Sequence, residues 1–109
     1  MTEGPFFQAV DEAAQKKEKE KARQLRQSSW WVSLKGRGRC AYCQAQVPPA
    51  ELTMDHQTPI ARGGLSNKRN IVPCCKACNV EKGHLTLNEW RVQRHAQGNP
   101  LPLDEELWT

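Results

Sequence analysis

Two cysteine pairs, Cys40-x-x-Cys43 and Cys75-x-x-Cys78, constrain this chain more than any other feature. Each pair presents two thiolates from one tight turn, and zinc prefers four tetrahedral ligands of this kind. A redox CxxC usually comes singly and in a βαβ context, so two pairs point to a structural zinc with no open position for water. The insert between Cys43 and Cys75 is too long for a simple zinc ribbon, so something sizeable must fold between the knuckles. With 109 residues and a hydrophobic fraction of 38%, the chain has room for one domain and needs such a staple. The fifth cysteine, Cys74, is left over. A one-residue slip would make it a competing ligand, but a small buried side chain is its expected role.

No apolar run approaches the ~20 residues that span a bilayer. The first residues lack a basic segment followed by an apolar one, so a cytoplasmic protein with reduced thiols is expected. The net charge of +4 suits a phosphate-rich partner without proving one.

The pattern along the chain predicts three regions. Residues 1–29 form a charged helical arm, with a frayed start at 1–7 and a helix over 8–29 built from Ala, Gln, Lys, Glu and Arg. The arm is either solvated, a phosphate-tracking element or a dimerisation helix. Residues 30–98 form the zinc-stapled domain. There Trp30, Trp31 and Leu34 are expected as core. Residues 51–56 suit a strand, and 57–69 a loop marked by Pro59, Gly63 and Gly64. Ile71 and Val72 suit an antiparallel second strand. A helix follows from Cys75 to Lys82, closing at Gly83. Thr86-Leu-Asn-Glu89 is a capping-box pattern that starts another helix, stopped at Gly98. Residues 99–109 are a tail packed on the domain.

The insert carries Asp55-His56, Asn70 and Asn79 in that order. With the knuckles, the chain reads C-x-x-C…D-H-x-x-P…G-G…N-I-V-P…C-x-x-C-N-x-x-K-G. Over residues 40–84 this resembles the zinc-bound branch of the HNH endonuclease family. The resemblance implies a small α+β fold: a ββα-metal finger with structural zinc, here flanked by N-terminal and C-terminal helices. It implies His56 as the general base that activates water, and Asp55 and Asn79 as ligands of a catalytic divalent ion. Asn70 would hold the loop by hydrogen bonds and so orient His56. Asn79 stands where the family name has its last histidine, which favours magnesium or manganese at that site.

The chemistry is coherent on its own terms. A neutral imidazole titrating near pH ~6.5 can take a proton from water. An ion held by one carboxylate and one amide keeps positions open for a phosphate. Adjacent strand residues point to opposite faces, however, so Asp55 and His56 share a site only if the strand ends or twists there. Thr58-Pro59 supports an ending.

Arg62, Lys68, Arg69, Lys76 and Lys82 are expected phosphate contacts, with Arg37 and Arg39 beside the first knuckle. Such contacts position DNA without reading its sequence and weaken with salt. DNA is thus the expected partner and nicking with little sequence preference the expected activity, by a monomer or by a homodimer joined through the N-terminal helix. The alternative is a non-catalytic zinc-binding module that docks DNA or protein. His84 and His95 are expected on the surface.

Overall fold

The computed structural model describes residues 11–102. The expected frayed start, the beginning of the first helix, and Leu103, Leu107 and Trp108 of the tail lie outside the described residues. Among the described residues, no helix is long and apolar enough to cross a membrane.

The polar arm forms helix α1, Glu12–Arg26, capped by Asp11, whose side chain accepts from the Ala14 amide at 2.7 Å. The helix expected over 8–29 breaks at Ser28. That side chain accepts from the Trp31 amide at 3.2 Å and donates to the Leu25 carbonyl at 2.7 Å, closing one helix and opening the next. The result is α2, Ser29–Lys35, which the sequence reading did not foresee. Of its two tryptophans Trp31 is buried, while Trp30 is half-buried beneath Lys68, whose Nζ sits 5.6 Å from the ring centroid. Trp30 is therefore a rim residue rather than core.

The insert is a two-stranded hairpin followed by a helix. Strand β1, Thr53–His56, pairs antiparallel with β2, Ile71–Cys74, in the register Thr53 to Cys74 and His56 to Ile71. Pro73 cannot donate to a ladder, but its carbonyl accepts from the Ala41 amide at 2.9 Å. That bond joins the first knuckle to the hairpin. Helix α3, Lys76–Lys82, follows at once with Cys75 as its N-cap, and packs against β1.

Helix α4, Leu87–Ala96, starts at the expected capping box. The Thr86 side chain accepts from the Glu89 amide at 3.1 Å, and Glu89 accepts from the Thr86 amide at 3.0 Å. Its Trp90 is fully buried, edge-on to Tyr42 at 5.2 Å between centroids, with its indole N–H on Glu81 at 3.1 Å. Cys40, Tyr42, Leu52, Cys74, Cys78, Trp90 and Leu101 make the core. It gathers the knuckles, the start of β1, the end of β2 and α4 around one centre, and leaves the far end of the hairpin to be held by other means.

Candidate active site and metal centre

The sulfurs of Cys40, Cys43, Cys75 and Cys78 all lie within 4.8 Å of one another, and Cys43 and Cys75 are 3.8 Å apart. A tetrahedron with zinc–sulfur bonds of about 2.3 Å has edges of about 3.8 Å. The four thiols fit zinc in geometry and in ligand type. The Cys78 thiol is pushed up by its hydrogen bond with Cys40 and by burial. Cys74 is buried but outside the cluster, beside the Thr53 hydroxyl at 3.6 Å, and burial pushes its thiol up to about 12. It is an inert core side chain.

At the end of β1 the pleat sends Asp55 and His56 to opposite sides. Asp55 turns toward the core and is 9% exposed. Its Oδ2 accepts from the Tyr42 hydroxyl at 2.5 Å and pairs with Lys82 Nζ at 3.2 Å. Burial and the Asp55 charge push the Tyr42 hydroxyl up, so it stays a proton donor. Lys82 also donates to the His56 carbonyl at 3.0 Å, which ties the end of β1 to α3. Lys82 is 1% exposed. Its expected role as a phosphate contact is therefore withdrawn: a side chain sealed between a carboxylate and a carbonyl cannot reach an external phosphate.

His56 turns the other way. Its Nε2 lies 2.9 Å from Ser66 Oγ in the loop. Burial first, then the nearby Arg26 and Lys82 charges, hold the imidazole below its usual range against the opposing pull of Asp55. It is thus kept in the neutral form that accepts a proton. Arg26 reaches this side from α1, with Nη1 3.7 Å from the Met54 sulfur.

Asn70 accepts from the Thr58 amide at 2.9 Å and donates to the carbonyls of Thr58 and Leu65 at 3.0 and 2.8 Å. These three bonds cross the base of the loop that carries Ser66. Asn79 projects from α3 and donates through Nδ2 to Thr53 Oγ1 at 3.4 Å. Thr53 and Asp55 share one face of β1. Among the described residues, both polar partners of Asp55 fall on Oδ2, which leaves Oδ1 open; the Asn79 bond through nitrogen likewise leaves its Oδ1 open. One carboxylate oxygen and one amide oxygen are a donor set for a hard divalent ion. Among the described residues, Asp55, His56 and Asn79 form no hydrogen bond with one another; Asn79 bonds Thr53, and Lys82 bridges the Asp55 carboxylate and the His56 carbonyl.

Lys68, Arg69 and Lys76 are exposed, as are His84 and His95. Arg62 is exposed but occupied, forked onto Glu89 at 3.0 and 2.7 Å and touching the His84 carbonyl at 3.3 Å. It braces the loop against α4. Sequence reasoning missed Tyr42, Ser66 and Glu18, because each acts through a partner distant in the chain.

A hairpin and helix stapled by four thiols, with Asp-His at the end of the first strand and Asn on the helix, define a ββα nuclease finger. The chain belongs to the HNH endonuclease family, whose model matches residues 40–94. It is also similar to the CRISPR-associated endonuclease Cas9 of Corynebacterium diphtheriae, 35% identical over 60 residues that make up 54% of this chain and 6% of that protein. The chain thus spans only a small fraction of that relative's length. Members of the family are generally phosphodiester hydrolases.

Proposed function

We propose that this protein is a metal-dependent DNA endonuclease that nicks one strand with little sequence preference. The observation that carries the reading is the division of labour at the end of β1. A neutral imidazole is held on one side, and a buried carboxylate with an open oxygen lies on the other.

His56 takes a proton from water as the water oxygen bonds to phosphorus. The bond from phosphorus to the 3′ oxygen breaks, and that oxygen leaves with a proton from solvent. A magnesium or manganese ion on the open oxygens of Asp55 and Asn79 would supply positive charge to the phosphate and the leaving oxygen. Lys82 and Tyr42 hold Asp55 so that its open oxygen keeps one direction. Asn70 fixes the loop across the site. Lys68, Arg69 and Lys76 are the exposed cations for the phosphate backbone, so binding weakens as salt rises. A zinc ion in the thiol cluster would hold the first knuckle to the start of α3 and take no part in the chemistry.

The test is nicking of supercoiled plasmid with magnesium or manganese, comparing wild type with His56→Ala. Loss of about 10²–10⁴-fold in rate is expected for the variant. Equal nicking by the two proteins would remove His56 from the chemistry and leave a zinc module that docks without cutting.

A further inference from the structure

The described part of the N-terminal arm lies outside the family segment of residues 40–94, yet it touches the loop that holds His56. Helix α1 turns a glutamate inward: Glu18 is 9% exposed in a helix otherwise dominated by solvated charges. Its carboxylate accepts from the Ser66 amide at 2.7 Å, and its backbone carbonyl accepts from the Ser66 hydroxyl at 2.6 Å. Ser66 is itself buried, at 6% exposure.

A count of hydrogens then fixes the direction of the remaining bond. A serine hydroxyl has one hydrogen, and a carbonyl can only accept. The Ser66 hydrogen is therefore on Glu18, and toward His56 the same oxygen can only accept. The proton in that 2.9 Å contact must sit on His56 Nε2. In a neutral ring the other nitrogen, Nδ1, is then bare.

We infer that α1 is a positioning element of the active site: Glu18, acting through Ser66, holds the His56 imidazole in its Nε2–H form and leaves Nδ1 as the proton acceptor. Ser66 and Glu18 touch neither substrate nor ion in this scheme. They set which nitrogen works and where the ring plane lies, and a ring misplaced by about 1 Å can cost ~10²-fold in rate. The inference rests on the reading of His56 as base, but its main test does not.

That test is long-range ¹H–¹⁵N NMR of the full chain with zinc bound and no DNA, at a pH about two units above the ordinary imidazole value of ~6.5. In the wild type the His56 signals, assigned by their loss in His56→Ala, should show the Nε2–H form. Ser66→Ala should move them toward a mixture of the two neutral forms and lower kcat by about 10–100-fold with KM little changed. Glu18→Ala should produce part of that shift, and Glu18→Gln, whose amide oxygen can still accept from the Ser66 amide, should restore the wild-type spectrum. A wild-type His56 protonated on Nδ1 overturns the inference while leaving a histidine base intact. Glu18→Ala keeps the backbone carbonyl that takes the Ser66 hydrogen, so a spectrum identical to wild type would overturn the part given to the Glu18 carboxylate; the wild-type spectrum by itself keeps the test decisive if Ser66→Ala does not fold. Undiminished cleavage by His56→Ala would defeat the base reading and leave the measured ring form standing.

Discussion

The hairpin is held at its two ends by different kinds of contact. At the knuckle end, four sulfurs within 4.8 Å and an apolar cluster around Trp90 make a centre that depends on one cation and on burial. At the loop end, Asn70, Ser66 and Glu18 make a lattice of directed hydrogen bonds. The first kind of contact would be the stronger with zinc bound, since thiolate coordination supplies several times the energy of a hydrogen bond. The second contributes less per bond, roughly 0.5–1.5 kcal/mol net, but fixes angles. Stability gathers where the ion is, and aim gathers where the imidazole is.

Four substitutions test that division, in order of expected effect. Cys40→Ser should abolish it outright. Zinc in small thiolate sites supplies roughly 10–16 kcal/mol of apparent free energy, comparable with or above the whole stability of a domain at ~5–15 kcal/mol. Far-UV circular dichroism together with metal content should show loss of zinc and of fold together; a folded, zinc-free variant would mean that the apolar cluster suffices. Lys82→Met comes next. It strands the Asp55 carboxylate in the core without its cation, a change that typically costs about 3–5 kcal/mol, and a urea midpoint close to wild type would show that Lys82 is not the counter-charge that Asp55 needs.

Gly64→Ala probes the loop end. A Cβ there would stand 1.7 Å from the Thr58 carbonyl oxygen and 2.9 Å from that of Pro59, both backbone, so the loop has to move. The expected cost in stability is about 1–3 kcal/mol, as for overpacked sites. Cleavage should fall further than stability does, because Ser66 and His56 move with the loop. Equal losses in the two would argue against a separate aiming role for that end.

The smallest effect belongs to Arg62→Ala. The Arg62 guanidinium first, then the Thr86 amide, hold the Glu89 carboxyl down to about 2 from its ordinary 4.5. A carboxyl lowered in the fold stabilises it fully above 4.5, and this contribution is lost as pH falls toward 2. Removing Arg62 should raise the Glu89 value toward 4.5 in a ¹³C titration, with little change in the thermal midpoint, since the pair is surface-exposed. An unmoved titration would show that the capping amide alone holds Glu89.

Local features were legible in the sequence and distant ones were not. The knuckles, both strands, α3 and the capping box of α4 follow from spacing within a few residues, and they stand within two residues of where spacing puts them; the first strand starts at Thr53 rather than at 51 because Pro49–Glu51 forms a 3-10 turn. Ser28 was misread for a different reason: a serine inside a charged run has no mark that makes it a cap until its neighbours' amides are seen. Lys82 was read as a surface cation because helical spacing gives a side chain's direction but not its partner; the partner, Asp55, lies on β1. Glu18 is the extreme case. It meets Ser66 across 48 residues, and in sequence it is one acid among many in a solvated helix. Asn70, Asp55, His56 and Asn79 were singled out by the family pattern, which carries distant geometry that local periodicity does not contain.

The edge-on packing of Trp90 against Tyr42 has an optical consequence. The phenol that grips Asp55 lies 5.2 Å, centroid to centroid, from an indole shielded from water. A ligand arriving at Asp55 alters the charge beside that phenol, and the phenol passes excitation to the indole at such short range. The difference in emission between the wild type and Trp90→Phe would therefore report a cation binding at Asp55, read without a dye or a substrate.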